Sequence, residues 1–84
     1  MLTSEYIKAV IQKNMECNFI EIKGDDGSHF EATIVSDIFE GLTKVMQHQK
    51  VYDALDGMMK QELHALSIKT YTSSQWDKSN MESN

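Results

Sequence analysis

Phe19-Ile20-Glu21-Ile22-Lys23-Gly24-Asp25-Asp26-Gly27-Ser28-His29-Phe30-Glu31-Ala32-Thr33-Ile34-Val35 reads as two β-strands joined by a turn. Ile20 and Ile22 alternate with Phe19 and Glu21, the period of a strand with one buried face, over about Cys17 to Lys23. Beyond Gly24–Gly27, Phe30, Ala32 and Ile34 share a face over about Ser28 to Val35. Two such runs around a Gly- and Asp-containing loop signal an antiparallel hairpin. The two loop aspartates invite a calcium reading, but a calcium loop needs more oxygen ligands at fixed spacing, so this is a turn.

Outward from the hairpin the period changes. Upstream, Ile7, Val10 and Ile11, flanked by Tyr6, recur at helical spacing, with Thr3 or Ser4 as cap and an end near Asn14. Downstream, Ser36 and Asp37 cap a short turn, Ile38-Phe39-Glu40, that Gly41 stops. Thr43 opens the longest helix, expected to reach about Met59. Its apolar stripe is Val45, His48, Tyr52, Leu55 and Met59, widened by Val51 and Met58. A third strand follows from His64 to about Tyr71, with Leu66 and Ile68 facing inward. Thr72 or Ser73 then caps a last helical turn carrying Trp76.

A strand–helix–strand crossover joins parallel strands, so the second strand takes the centre, antiparallel to the first and parallel to the third. The expected fold is α+β, with order α-β-β-α-α-β-α and a three-stranded mixed sheet carrying helices on one face. That is the arrangement of a type II KH-like domain. One domain over residues 1–77 and a flexible polar tail over 78–84 account for the whole chain.

Composition narrows the function. The 84 residues include 13 acidic side chains against eight lysines and no arginine, for a net charge of −5. Nucleic-acid backbones attract cationic surfaces, so this balance disfavours them, leaving Lys44 with Lys50 as a local basic patch at most. No apolar run approaches the ~20 residues of a membrane span. The N-terminus lacks the pattern of a secretory signal, and the single Cys17 forms no internal disulfide, so a cytoplasmic protein is expected. No nucleophile–base–acid set, phosphate-binding loop or dinucleotide fingerprint is present, and an enzyme is not expected. Gly41-Leu42-Thr43-Lys44 also lacks the second glycine of the loop with which KH domains clamp a nucleic-acid backbone.

The chemistry-bearing candidates are His29 and His64, about 35 residues apart, each at the start of a predicted strand. Parallel strands begin at the same end of a sheet, which places both imidazoles there. Neutral imidazole is a ready ligand for iron, zinc or copper. Parity sets the two apart: His64 falls in phase with Leu66 and Ile68, whereas His29 is out of phase with Phe30. Spacing alone leaves His64 open as a hydrogen-bonded structural residue or a ligand. His48, inside the helical stripe, reads as packing, and Cys17 as a buried, inert thiol at the far end of the sheet from His29.

Phe39-Glu40-Gly41, Val45, Gln47-His48-Gln49, Val51-Tyr52, Leu55, His64-Ala65-Leu66-Ser67-Ile68, Tyr71-Thr72 and Trp76 together resemble the BolA family. Gly24-Asp25-Asp26-Gly27-Ser28-His29-Phe30 is similar to its IbaG (YrbA) branch. The resemblance covers about residues 4–77 and implies the KH-like (BolA-like) fold just reached. It also implies a non-catalytic partner of a monothiol glutaredoxin in [2Fe-2S] cluster binding, trafficking or iron homeostasis. His64 would be the signature ligand and His29 the second, sharing the cluster with the partner. No cofactor is expected to bind the isolated chain tightly, and association with a second copy is compatible with the sequence. The alternative is a KH-like nucleic-acid-binding regulator of transcription or stress response, resting on Lys44 and Lys50. Two departures from the family pattern stand out, the second affecting only how the last helix begins. Many members carry Arg-His-Arg where this chain has Gln47-His48-Gln49, which weakens a nucleic-acid role, and many have proline where Ser73 stands.

Overall fold

A computed structural model of the chain describes residues 3–24, 29–55, 57 and 65–82. Helix α1 (Ser4–Asn14) begins where Thr3 turns extended and its hydroxyl accepts the Tyr6 N–H at 3.1 Å. That bond satisfies one of the donors a helix start leaves unpaired. Ile7 and Ile11, one turn apart, are fully buried. At the other end, Asn14 Nδ2 donates to the Ala54 carbonyl at 2.8 Å and ties α1 to the second long helix.

Strands β1 (Phe19–Lys23) and β2 (Phe30–Val35) pair antiparallel, and β3 (Leu66–Tyr71) pairs parallel to β2. The sheet order β1-β2-β3 puts β2 at the centre, as the crossover argument requires. The strands start later than the alternation suggests. The β2–β3 ladder begins at Phe30↔Leu66, the first pair in which both side chains enter the core. His29 therefore precedes its strand instead of opening it, and β3 starts beyond His64, which lies outside the described residues.

Ile20, Phe30, Ala32, Ile34 and Leu66 form the inner sheet face, packed against Ile7 and Ile11 of α1 and Val51, Ala54 and Leu55 from the second helix region. Phe39, in the 3-10 turn Asp37–Phe39, plugs one end of this core. Ser36 caps that turn: its hydroxyl accepts the Ile38 N–H at 3.3 Å and donates to the Glu16 carbonyl at 2.6 Å. Gly41, at φ 79°, sits in the left-handed region and ends the turn.

Helix α2 (Lys44–Ala54) has the expected cap, with Thr43 Oγ1 accepting the Met46 N–H at 3.2 Å. Its buried face is not the expected one. Val45 is 79% exposed, while Gln47, Val51 and Ala54 face the core. Tyr52 and His48 are half-buried on the flank. The helical period of the stripe survives, but the helix is rotated so that a polar residue, Gln47, enters. The helix also ends at Ala54, short of the expected Met59, with Gly57 left-handed at φ 75°. Met58 and Met59 lie outside the described residues.

The last helix, α3 (Ser73–Glu82), is longer than the single turn anticipated and runs past Asp77. Thr72 and Gln75 make a reciprocal capping box: Gln75 N–H to Thr72 Oγ1 at 3.2 Å, and Thr72 N–H to Gln75 Oε1 at 3.0 Å. Its Trp76 folds over the outer sheet face. There it stacks on Phe19 (centroids 5.3 Å apart, planes 19°) and meets Tyr71 at a tilt. Phe19, Val35 and Tyr71 lie in one cross-strand row, which is why Val35 is buried although it points away from α1 and α2. Helices thus cover the inner face as expected, with one aromatic from α3 closing a corner of the other.

Candidate functional site

His29 is exposed and directly precedes β2. It stands on an open cleft walled by Lys23 at the end of β1, Phe30 and Glu31 at the start of β2, and Ala65 and Ser67 around the start of β3. The cleft therefore crosses the same end of all three strands. The register Phe30↔Leu66 sets the starts of β2 and β3 side by side, and His64 precedes Leu66 by two residues in the chain. Lys23 makes a solvated ion pair with Glu21 at 3.7 Å, a contact of little energetic weight at this exposure.

Chemically, this end offers an accessible imidazole within an apolar and mixed-charge rim. Among the described residues, no three His, Cys, Asp or Glu side chains gather to hold a metal ion. Of the two histidines singled out as ligands in the sequence, His29 is the one among the described residues. A metal group engaged here needs donors from His64, from a partner, or from both.

The remaining candidates fall elsewhere. Cys17 is half-buried beside the Phe19 end of β1, opposite the cleft, and burial pushes its thiol above the ordinary value. Lys44 is held against β3. Its ammonium donates to the Thr70 carbonyl and lies 4.8 Å from the Tyr71 ring centroid, and burial pushes its pKa down. Lys50, six positions on, is exposed on α2.

Sequence reasoning missed Gln47, which is 2% exposed and fully occupied. Its Nε2 donates to the Leu42 carbonyl at 3.0 Å and the Phe39 carbonyl at 3.4 Å, and its Oε1 accepts from Thr70 Oγ1 at 2.7 Å. The spacing Gln47–Val51–Ala54 was the available signal, had a polar residue been admitted to the stripe. No helix among the described residues is long and apolar enough to cross a membrane.

The family profile described as BolA-like protein matches residues 5–75, from the first turn of α1 to the capping box of α3. The chain belongs to the BolA family. BolA relatives include the Escherichia coli (strain K12) acid stress protein IbaG, 34% identical over 71 residues that make up 83% of each chain. The Vibrio cholerae DNA-binding transcriptional regulator BolA is 34% identical over 79 residues, covering 94% of this chain and 71% of that one. Among solved structures, a bolA protein homologue from Coxiella burnetii shares 41% identity at a TM-score of 0.79, over 92% of this chain and 99% of that chain. Both His29 and His64 fall inside the matched BolA region.

Proposed function

We propose that this BolA-family chain is a non-catalytic partner of a monothiol glutaredoxin that shares or receives its [2Fe-2S] cluster. His64 serves as the main ligand and His29 as the second. The observation that carries the reading is the β2–β3 register. Phe30 pairs with Leu66, so the segments bearing the two histidines lead into the same end of the sheet, where His29 is exposed on a cleft. Two imidazoles leave an iron coordination shell incomplete, so the partner's thiolates supply the rest, and binding is strong only in the complex. The cluster is cargo passed between two proteins, and this chain's part is to offer its imidazoles as ligands.

The test mixes the chain with a cluster-loaded monothiol glutaredoxin and records visible circular dichroism. The expected result is a new spectrum that His64→Ala abolishes. A spectrum unchanged by either protein overturns the proposal.

A second reading, DNA binding, is favoured by the name of the Vibrio relative. Against it stand the net charge of −5 and the engagement of Lys44 by the Thr70 carbonyl and the Tyr71 ring. A gel-shift titration separates the two. Tight binding that weakens steeply with salt promotes the DNA reading over the first.

A further inference from the structure

Gly24 closes the stem of the segment that carries His29. Its backbone lies against two groups at once. A Cβ built there would fall 2.5 Å from Cδ1 of Phe30 and 2.7 Å from the carbonyl oxygen of His29. Real Cβ atoms do not come closer than 3.0 Å to such neighbours, so something would have to move. Neither neighbour is free to do so. Phe30 is 3% exposed, locked in the core and paired with Leu66, and the second contact is backbone, which cannot swing aside as a side chain does. Gly24 is not among the positive-φ glycines, so the demand is one of space alone and not of backbone conformation.

From this geometry we infer that Gly24 is a positioning residue for His29. The missing side chain lets the end of β1 close directly on the His29 carbonyl and the Phe30 ring, which fixes where His29 leaves β2 and how its imidazole meets the cleft. The inference rests on the proposed role of His29 as a ligand. Groups that orient a ligand without touching the metal change affinity by roughly 10–100-fold when altered. Any larger residue at position 24 pushes the two strands' stems apart at the point where His29 is anchored.

The experiment uses the full chain and two readouts. The first is the carbon-bound proton and carbon resonances of the His29 imidazole in the isolated protein. The second is a visible circular-dichroism titration with a cluster-loaded monothiol glutaredoxin. Gly24→Ala is expected to shift the His29 resonances and to weaken the cluster-bridged complex about tenfold, while far-UV circular dichroism stays native. Ile7→Val, a core change of purely structural effect, is expected to leave both readouts in place.

Phe30→Leu loosens the same contact without adding an atom to the stem, and it carries the test if Gly24→Ala does not fold. His29 resonances that hold their positions in whichever of these variants folds overturn the inference. His29→Ala separates this from the wider reading. If that variant leaves the complex intact, His29 ligation fails, and the resonance arm alone still decides whether Gly24 positions the ring.

Discussion

The two ends of the sheet are built on different principles. At the end where Phe19, Val35 and Tyr71 line up, polar side chains and stacked rings tie five segments together. Gln47 joins α2 to β3 and to the carbonyls of Phe39 and Leu42. Ser73 Oγ donates to Asp37 at 2.7 Å, Asn18 Oδ1 accepts the Asp37 N–H at 2.9 Å, and Trp76 lies across Phe19. At the other end the strands stop on a cleft, the stem is closed by a bare glycine, and an imidazole faces solvent. One end supplies rigidity and the other supplies chemistry. Under the proposed role of cluster partner, that division lets the cleft end engage a partner without loosening the scaffold.

The sharpest way to break this comparison is at Gln47. Gln47→Ala strands the Thr70 hydroxyl and two carbonyls in the core and leaves a void, and should cost about 2–3 kcal/mol. For a domain of this size that is a fall in Tm of roughly 10–20 °C, read by calorimetry. Affinity for a cluster-loaded glutaredoxin at 25 °C should stay within about twofold if the ends are independent. A parallel collapse of affinity would show them coupled.

Trp76→Ala comes next. Loss of the stack on Phe19 and Tyr71 should destabilise by about 1–2 kcal/mol and erase the near-UV signal of the ordered indole. The His29 resonances should not move.

Acid should act at the opposite end. Ligation requires neutral imidazole, and protonation takes away the lone pair that binds iron, so affinity is lost as pH falls. Between pH 7 and 5.5 the cluster-bridged complex should weaken measurably. Far-UV circular dichroism of the isolated chain should hold steady, since Gln47, Thr70, Phe19 and Trp76 carry no group that titrates there. A flat binding profile with an intact cluster-loaded partner would remove histidine ligation from the account.

The smallest expected effect is alkaline. Burial raises the Cys17 thiol above its ordinary value of 9.0, so the folded chain keeps that proton longer than the unfolded chain. Its stabilising contribution is intact below the unfolded pKa and lost as pH climbs through the folded one. Lys44 works in the opposite direction, its folded pKa lying below 10.5. Comparing wild type with Cys17→Ala isolates the thiol: from pH 8 to 10 the variant's Tm should fall less. Equal slopes would show that the thiol makes no such contribution.

Much of the scaffold was legible because its signals are local. Alternation at Ile20–Ile22 and Phe30–Ile34 specified the hairpin, the crossover rule specified the parallel partner, and hydroxyl residues marked the helix starts at Thr3, Ser36, Thr43 and Thr72. The face of α2 was misread. An apolar stripe was read through Val45, yet Gln47 is buried because Phe39, Leu42 and Thr70, distant in sequence or in a turn, converge to satisfy its amide. No local pattern announces such partners. Trp76 was placed on a last helical turn, but the face it covers depends on the direction in which α3 leaves β3. At the candidate site the sequence put His29 at the end of the sheet where it stands exposed, while the strand starts came out two residues late and His64 lies outside the described residues. Gly24 was read only as part of a turn, since its importance lies in contacts with His29 and Phe30 that appear once the strands pair.

The grip of Lys44 on β3 also bears on how the protein behaves at high concentration. The Tyr71 carbonyl accepts the Ser36 N–H and so faces β2, which turns the Thr70 carbonyl outward along the strand's unpaired side. Unpaired backbone on an outer strand is a template on which another chain can lay a strand of its own. Here the Lys44 ammonium occupies the Thr70 carbonyl, and Gln75 occupies the Thr72 N–H just beyond. An incoming strand would have to strip a charged group and a helix cap from their acceptors and donors before its first hydrogen bond could form. Along this stretch the sheet is closed to growth, and the protein is guarded there against self-association into extended β-structure.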